Sequence, residues 1–137
     1  MKKIMIFSLT LLFCCMGSMA QEFSSEKLRR GVWRLTLCRA DEKTVVTYND
    51  SIERWTYTIF WKGKWDPFSA DKPYYLSNSV PKKFDFNRVG KGDNGRYLVT
   101  WNDKMKEVRV YEIADLTDDY LKFKLDDGDI LVFKNER

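Results

Sequence analysis

Between Ile52 and Trp61 the chain alternates with a period of two: Trp55, Tyr57, Ile59 and Trp61 fall on one face, and Arg54, Thr56, Thr58 and Phe60 on the other. That period belongs to a strand with one buried face, because successive strand side chains point to opposite sides of a sheet. Each large apolar side chain gains about 1.5–3 kcal/mol on full burial, so four on one face outweigh any surface preference of their neighbours. A one-residue slip in register would move three aromatic rings into water. The rest of the chain must therefore supply a covered sheet.

The same period recurs. In Gly31–Arg39, Trp33, Leu35 and Leu37 oppose Arg34, Thr36 and Cys38. Thr44–Tyr48 is short and β-branched, Lys82–Val89 alternates through Phe84 and Phe86, and Arg96–Asn102 places Tyr97, Val99 and Trp101 together. In Met105–Ile113, Val108 and Val110 oppose Arg109, Tyr111 and Ile113, which leaves the inward set open. Tyr120–Leu125 sets Leu121, Phe123 and Leu125 against Lys122 and Lys124. Asp127-Gly128 reads as a two-residue hairpin turn, which would face Leu125 with Ile130 and Phe123 with Val132, turning Leu131 and Phe133 outward.

Lys62–Pro81 carries Gly63, Pro67, Pro73 and Pro81 among Trp65, Phe68, Tyr74, Tyr75 and Leu76, and reads as a long apolar loop, a lid or a cover over the sheet. Gly90–Gly95 is a glycine-rich turn with no helical pattern after it, so it is no phosphate cradle. Ser24 or Ser25 suits the N-cap of a short helical turn through Glu26, Lys27 and Leu28. About eight short strands without a long helix predict an all-β fold, an antiparallel up-and-down β-barrel whose closure removes exposed edges. An eight-stranded interior is either filled by side chains or holds one small ligand.

Met1–Ala20 joins two lysines, an apolar run and a small-residue ending, the pattern of a signal peptide cleaved after Ala20. The apolar run falls short of the ~20 residues a bilayer span takes. The rival reading is lipidation at Cys14 or Cys15, a membrane anchor, although Phe13 and Cys14 fit the usual lipoprotein motif poorly. Either way the product is exported, to the periplasm, the outer membrane or the medium, and residues 21–137 form a single domain. Cleavage leaves 117 of the 137 residues, with 22 basic against 20 acidic side chains, a net charge of +2. No nucleic-acid partner is expected from so balanced a chain. Cys38 remains alone, so the domain has no internal disulfide, and the thiol reads as inert.

The chain has no histidine, which removes the commonest general base and the usual metal ligand. Asp118-Asp119 and Asp126-Asp127 sit in turn patterns where acids are expected, and Asp126, Asp127 and Asp129 lack the spread of a calcium loop. Neither a catalytic residue, a metal nor a cofactor is expected, and the protein reads as a binder rather than an enzyme.

With Gly31-Val32-Trp33 in place behind a helical turn, the chain resembles the lipocalin-like (calycin-type) small secreted β-barrel domains of Bacteroidetes-type envelope proteins, whose opening motif is Gly-x-Trp. The resemblance runs across the whole mature chain to Tyr120–Lys134, without the disulfide and appended helix common in lipocalins. It implies a barrel floor closed by Trp33, with Lys134 or Arg137 packed over the ring, and a small apolar molecule bound inside. Leu35, Leu37, Trp55, Tyr57, Ile59, Phe86, Tyr97, Trp101 and Phe123 are the candidate ligand-contacting residues. Two other readings stand beside it: a filled barrel serving as an envelope interaction module, and a glycan binder using Trp65, Phe68, Tyr74 and Tyr75 as a stacking platform.

Overall fold

The computed structural model describes residues 22–137, so the signal peptide and the lipidation alternative lie outside the described residues. The elements are β1 (Phe23–Ser24), α1 (Ser25–Arg30), β2 (Val32–Leu35), β3 (Glu42–Tyr48), β4 (Ile52–Trp61), β5 (Lys64–Ser77), a 3₁₀ turn (Phe86–Arg88), β6 (Asn94–Gly95), β7 (Tyr97–Asn102), β8 (Glu107–Leu116), β9 (Tyr120–Lys124) and β10 (Ile130–Asn135). Eight of these strands close an antiparallel barrel in the order β2-β3-β4-β5-β7-β8-β9-β10, and β10 pairs back onto β2. Each wall strand neighbours the next in the chain, the up-and-down topology expected.

One end of the barrel is sealed. Ser24 Oγ accepts from the Glu26 N–H and caps α1, which buries Leu28 beneath the barrel. The Trp33 indole N–H donates to the Leu28 carbonyl at 2.9 Å, and the ring folds back over Gly31. Any side chain at Gly31 would collide with that ring, the physical reason for glycine two positions before the tryptophan. Above this floor Val46, Tyr48, Tyr74, Leu76, Leu98, Ile113, Leu116, Leu121, Phe123 and Phe133 form the core.

Four expectations change. Lys82–Val89 forms no strand and holds the 3₁₀ turn instead. Lys62–Pro81 is not a loop: Lys62-Gly63, both with positive φ, make a tight hairpin turn, and β5 runs on for 14 residues. Pro67 and Pro73 fit within it because β5 pairs with β7 only from Tyr74 to Ser77, so both prolines stand where one side of the strand has no partner to miss an N–H. Arg96–Asn102 holds the opposite face inward. Leu98 and Thr100 point to the core, while Tyr97, Val99 and Trp101 point out, where residues 78–93 cover β5, β7 and β8.

The last hairpin also shifts. The Leu125 N–H donates to the Asp129 carbonyl around a three-residue loop with Gly128 at φ 90°, so Lys124 faces Ile130 and Phe123 faces Leu131. One residue of loop length inverts the strand, and Leu131 and Phe133 are the inward pair. In β8 a bulge at Ala114 lets both Ile113 and Leu116 reach the core, with Arg109 and Tyr111 on the inward face as well. The alternation over Met105–Ile113 gave no clear inward set because Val108 and Val110 are covered as well, packing on the outer cluster of Tyr75, Phe84 and Val99.

Candidate functional site

Burial falls from base to mouth along the inward faces of β4 and β5, with half-buried Asp66 on β5 the exception. On β4, Glu53 is fully buried, Trp55, Tyr57 and Ile59 are half-buried, and Trp61 is 64% exposed. On β5, Leu76 and Tyr74 are buried, Lys72 is half-buried, and Phe68 is 60% exposed. Tyr57 lies directly opposite Phe68, and Trp55 opposite Ala70, so these side chains share one concave wall. Leu35, Tyr111 and Leu131 complete it as partly buried residues packed on the core. The result is a cup with a packed base and a partly exposed aromatic mouth. Its wall is notched, because Lys64–Pro73 of β5 has a sheet partner only on the β4 side.

The base of the cup holds an unexpected ionisable group. Glu53 accepts the Tyr48 hydroxyl at 2.8 Å and the Trp55 indole N–H at 2.6 Å, so both carboxylate oxygens are satisfied. Burial pushes the Glu53 carboxyl above the usual range, against the pull of those two donors and of Lys72. Burial likewise raises the Tyr48 phenol, with the Glu53 charge adding to it. The Tyr74 phenol, donating to the Asn49 carbonyl, is pushed up to about 12, chiefly by burial. Burial and then Glu53 raise Tyr111. A carboxylate ringed by phenols and an indole is a rigid polar node, and removing any donor leaves a buried oxygen unpaired. Near the rim, the neighbouring Glu42 carboxylate raises the Tyr57 phenol.

Of the residues expected to contact a ligand, Leu35, Trp55, Tyr57, Ile59 and Phe123 share the inward face, Phe123 fully buried at the base. Trp33 is the floor, 1% exposed. Four candidates lie elsewhere. Leu37 has left the sheet, since β2 ends at Leu35, and is 81% exposed. Tyr97 and Trp101 face outward for the reason given above, and Phe86 packs on Trp101 outside the barrel at 5.6 Å between ring centroids. Arg137 is exposed, its backbone N–H donating to Asn135 Oδ1, and Lys134 faces outward opposite Tyr120. Asn135 takes the place foreseen for a basic residue: it pairs with Trp33, accepts the Val32 N–H at 3.1 Å and donates to the Asp118 carbonyl.

Sequence reasoning passed over Glu53 and Lys72, and placed Phe68 only on an exposed stacking platform. Glu53 shares the parity of Trp55, so the alternation itself pointed it inward. Phe68 and Lys72 were hidden by the loop reading. The four rings expected as a glycan platform do not form one: Tyr74 and Tyr75 are buried, and Trp65 and Phe68 fall on opposite faces of β5.

A second concavity, about 370 Å³, opens at the rim between Leu35, Thr36, Cys38, Arg39, Glu42 and Trp65. Its cations are engaged, Arg34 and Lys43 by Glu136 and Arg39 by Asp41. Among the described residues no three His, Cys, Asp or Glu side chains group as a metal site. No protein-family model matches the chain, and neither a curated protein nor a solved structure is significantly similar to it.

Proposed function

We propose that this is an exported, non-catalytic binding protein of lipocalin-like design that holds one small apolar molecule in the open half of its barrel. The observation that carries the reading is Phe68, a phenylalanine 60% exposed on a concave wall beside half-buried Tyr57 and Trp55. A large apolar ring left in water inside a cup is surface that a guest can cover, at about 25 cal/mol for each Å² removed from water. Ligand sites are characteristically concave and mostly apolar, with a few placed polar groups. Here Lys72 and Tyr111 supply polar groups near the base. The notch beside β5 gives a way in that does not require the packed base to open.

Native mass spectrometry of the protein purified gently from its own host, before and after organic extraction, tests the reading. A co-purifying mass of a few hundred daltons, removed by extraction and absent from Phe68→Ala protein, is the expected result. A bare mass that does not shift when fatty acids or similar apolar probes are added would overturn it.

A further inference from the structure

Residues 78–93 cross the outside of β5, β7 and β8, well away from the cup. Arg88 fastens them: its guanidinium stacks on Tyr75 at 4.6 Å, donates to the Leu76 carbonyl at 2.7 Å and pairs with Asp93 at 3.0 Å. Phe84 is seated against Tyr75 and Val99. Phe86 is not seated. It stands 58% exposed, edge-on to Phe84 at 4.7 Å and to Trp101 at 5.6 Å.

Phe84, Phe86, Trp101 and Val108 line a depression of about 470 Å³, rimmed by Lys82, Lys83, Lys106 and Glu107. Of the acids nearby, Glu107 is paired with Arg109 at 3.2 Å and Asp103 with Lys106 at 2.7 Å, while Asp85 accepts the Asn87 N–H and has no ion pair among the described residues. Lys82 and Lys83 have no ion pair among the described residues. The patch is thus an aromatic hollow with two unpaired lysines, Lys82 and Lys83, on its rim.

Its shape and charge select among occupants. A small molecule in a true pocket buries about 70–90% of its surface, which a hollow open along one side cannot provide. A flat bilayer does not reach Phe84 and Val108 at the bottom. An apolar side chain projecting from an extended segment fills the hollow while its own backbone covers the open side, and acidic neighbours meet Lys82 and Lys83. We propose that this outer patch docks an acidic segment of a partner protein, anchored by one large apolar side chain against Phe86 and Trp101. The site is independent of the cup.

The test selects peptides from a random dodecamer phage library on the full chain, then measures one enriched peptide by fluorescence anisotropy. Enrichment of a large apolar residue flanked by Asp or Glu is expected. Its affinity should fall about thirtyfold in Phe86→Ala and about tenfold in the double variant Lys82→Glu, Lys83→Glu, weaken as salt rises, and stay unchanged in Phe68→Ala. All three changes are at exposed side chains, so thermal unfolding should confirm intact folds. Selection without a consensus, or a peptide that binds the Phe86 and lysine variants as well as wild type, would overturn the proposal. So would patch binding by phosphatidylglycerol vesicles or 1-anilinonaphthalene-8-sulfonate in the absence of any peptide binding.

Discussion

The floor half and the mouth half of the barrel are built by the same strands with the same alternation, yet one is a core and the other a partly exposed wall. At the floor every inward apolar side chain meets another, as where Phe133 lies edge-on to Trp55 and Phe123 at 5.9 and 5.6 Å. At the mouth β4 and β5 rise as a ten-pair hairpin past the point where β7 leaves β5. Phe68 therefore has Tyr57 beside it on β4 but no strand on its other flank. Alternation decides which way a side chain points. The extent of the neighbouring strand decides whether it finds anything there.

That contrast can be broken most forcefully at the floor. Trp33→Ala should cost about 3–5 kcal/mol in guanidinium unfolding, since the ring is fully enclosed and the Leu28 carbonyl loses its donor. A loss below about 1 kcal/mol would mean the floor does not carry the stability of the barrel. Next in size, Tyr48→Phe should cost about 1–3 kcal/mol, because Glu53 Oε2 is left buried without its donor.

Glu53 also gives the boundary between the halves a pH signature. Its carboxyl is raised in the folded state, so the native protein holds the proton more tightly than the unfolded chain does. Stability from this group is full below the usual carboxylate range and is lost as pH rises through the raised value. Asp71 and Asp103, lowered by Arg54 and by Lys106, pull the opposite way from exposed positions. Subtracting the pH profile of Glu53→Gln from that of wild type should therefore leave a curve that falls with rising pH. A flat difference would show that Glu53 is not desolvated.

The mouth should respond in the reverse sense. Phe68→Ala is expected to change stability by less than about 1 kcal/mol while abolishing retention of the co-purifying molecule, the sharpest functional form of the contrast. Smallest of all, Arg54→Ala removes a bidentate pair with Asp71 on the outer face of the hairpin at 2.7 and 2.8 Å. Both partners are exposed, and the shift in melting should be the smallest of the set and vanish as salt is raised.

Much of the barrel was legible in the sequence because half-buried strands print a period of two. The capped turn at Ser24 and the inward row of Trp55, Tyr57 and Ile59 follow from local pattern, whereas the Trp33 floor was expected only from the resemblance carried by Gly31-Val32-Trp33. Where the reading failed, the missing information was not local. Tyr97 and Trp101 alternate as well as any inward pair, but residues 78–93 bury the outer face too, and a strand covered on both sides carries no sign of which is the core. Pro67 and Pro73 look like strand breakers unless one knows that β5 lacks a neighbour there. Leu131 and Phe133 were inverted by a single residue in a turn. Glu53 is the reverse case: its inward direction was readable by parity, but its partner Tyr48 sits on the preceding strand.

The seam between β2 and β10 has a consequence for how such a molecule comes into being. Val32 is joined to Asn135, 103 positions away, and the Glu136 N–H returns to the Val32 carbonyl. The entropy of bringing such distant residues together must be met before the seam offers any contact in return, which places folding in the millisecond-to-second regime of non-local β topologies. Until the last strand docks, the sheet has two raw edges, at β2 and β9. The finished ring presents neither at that seam, although the Lys64–Pro73 side of β5 stays unpaired, so the incomplete chain exposes more raw edge than the native one.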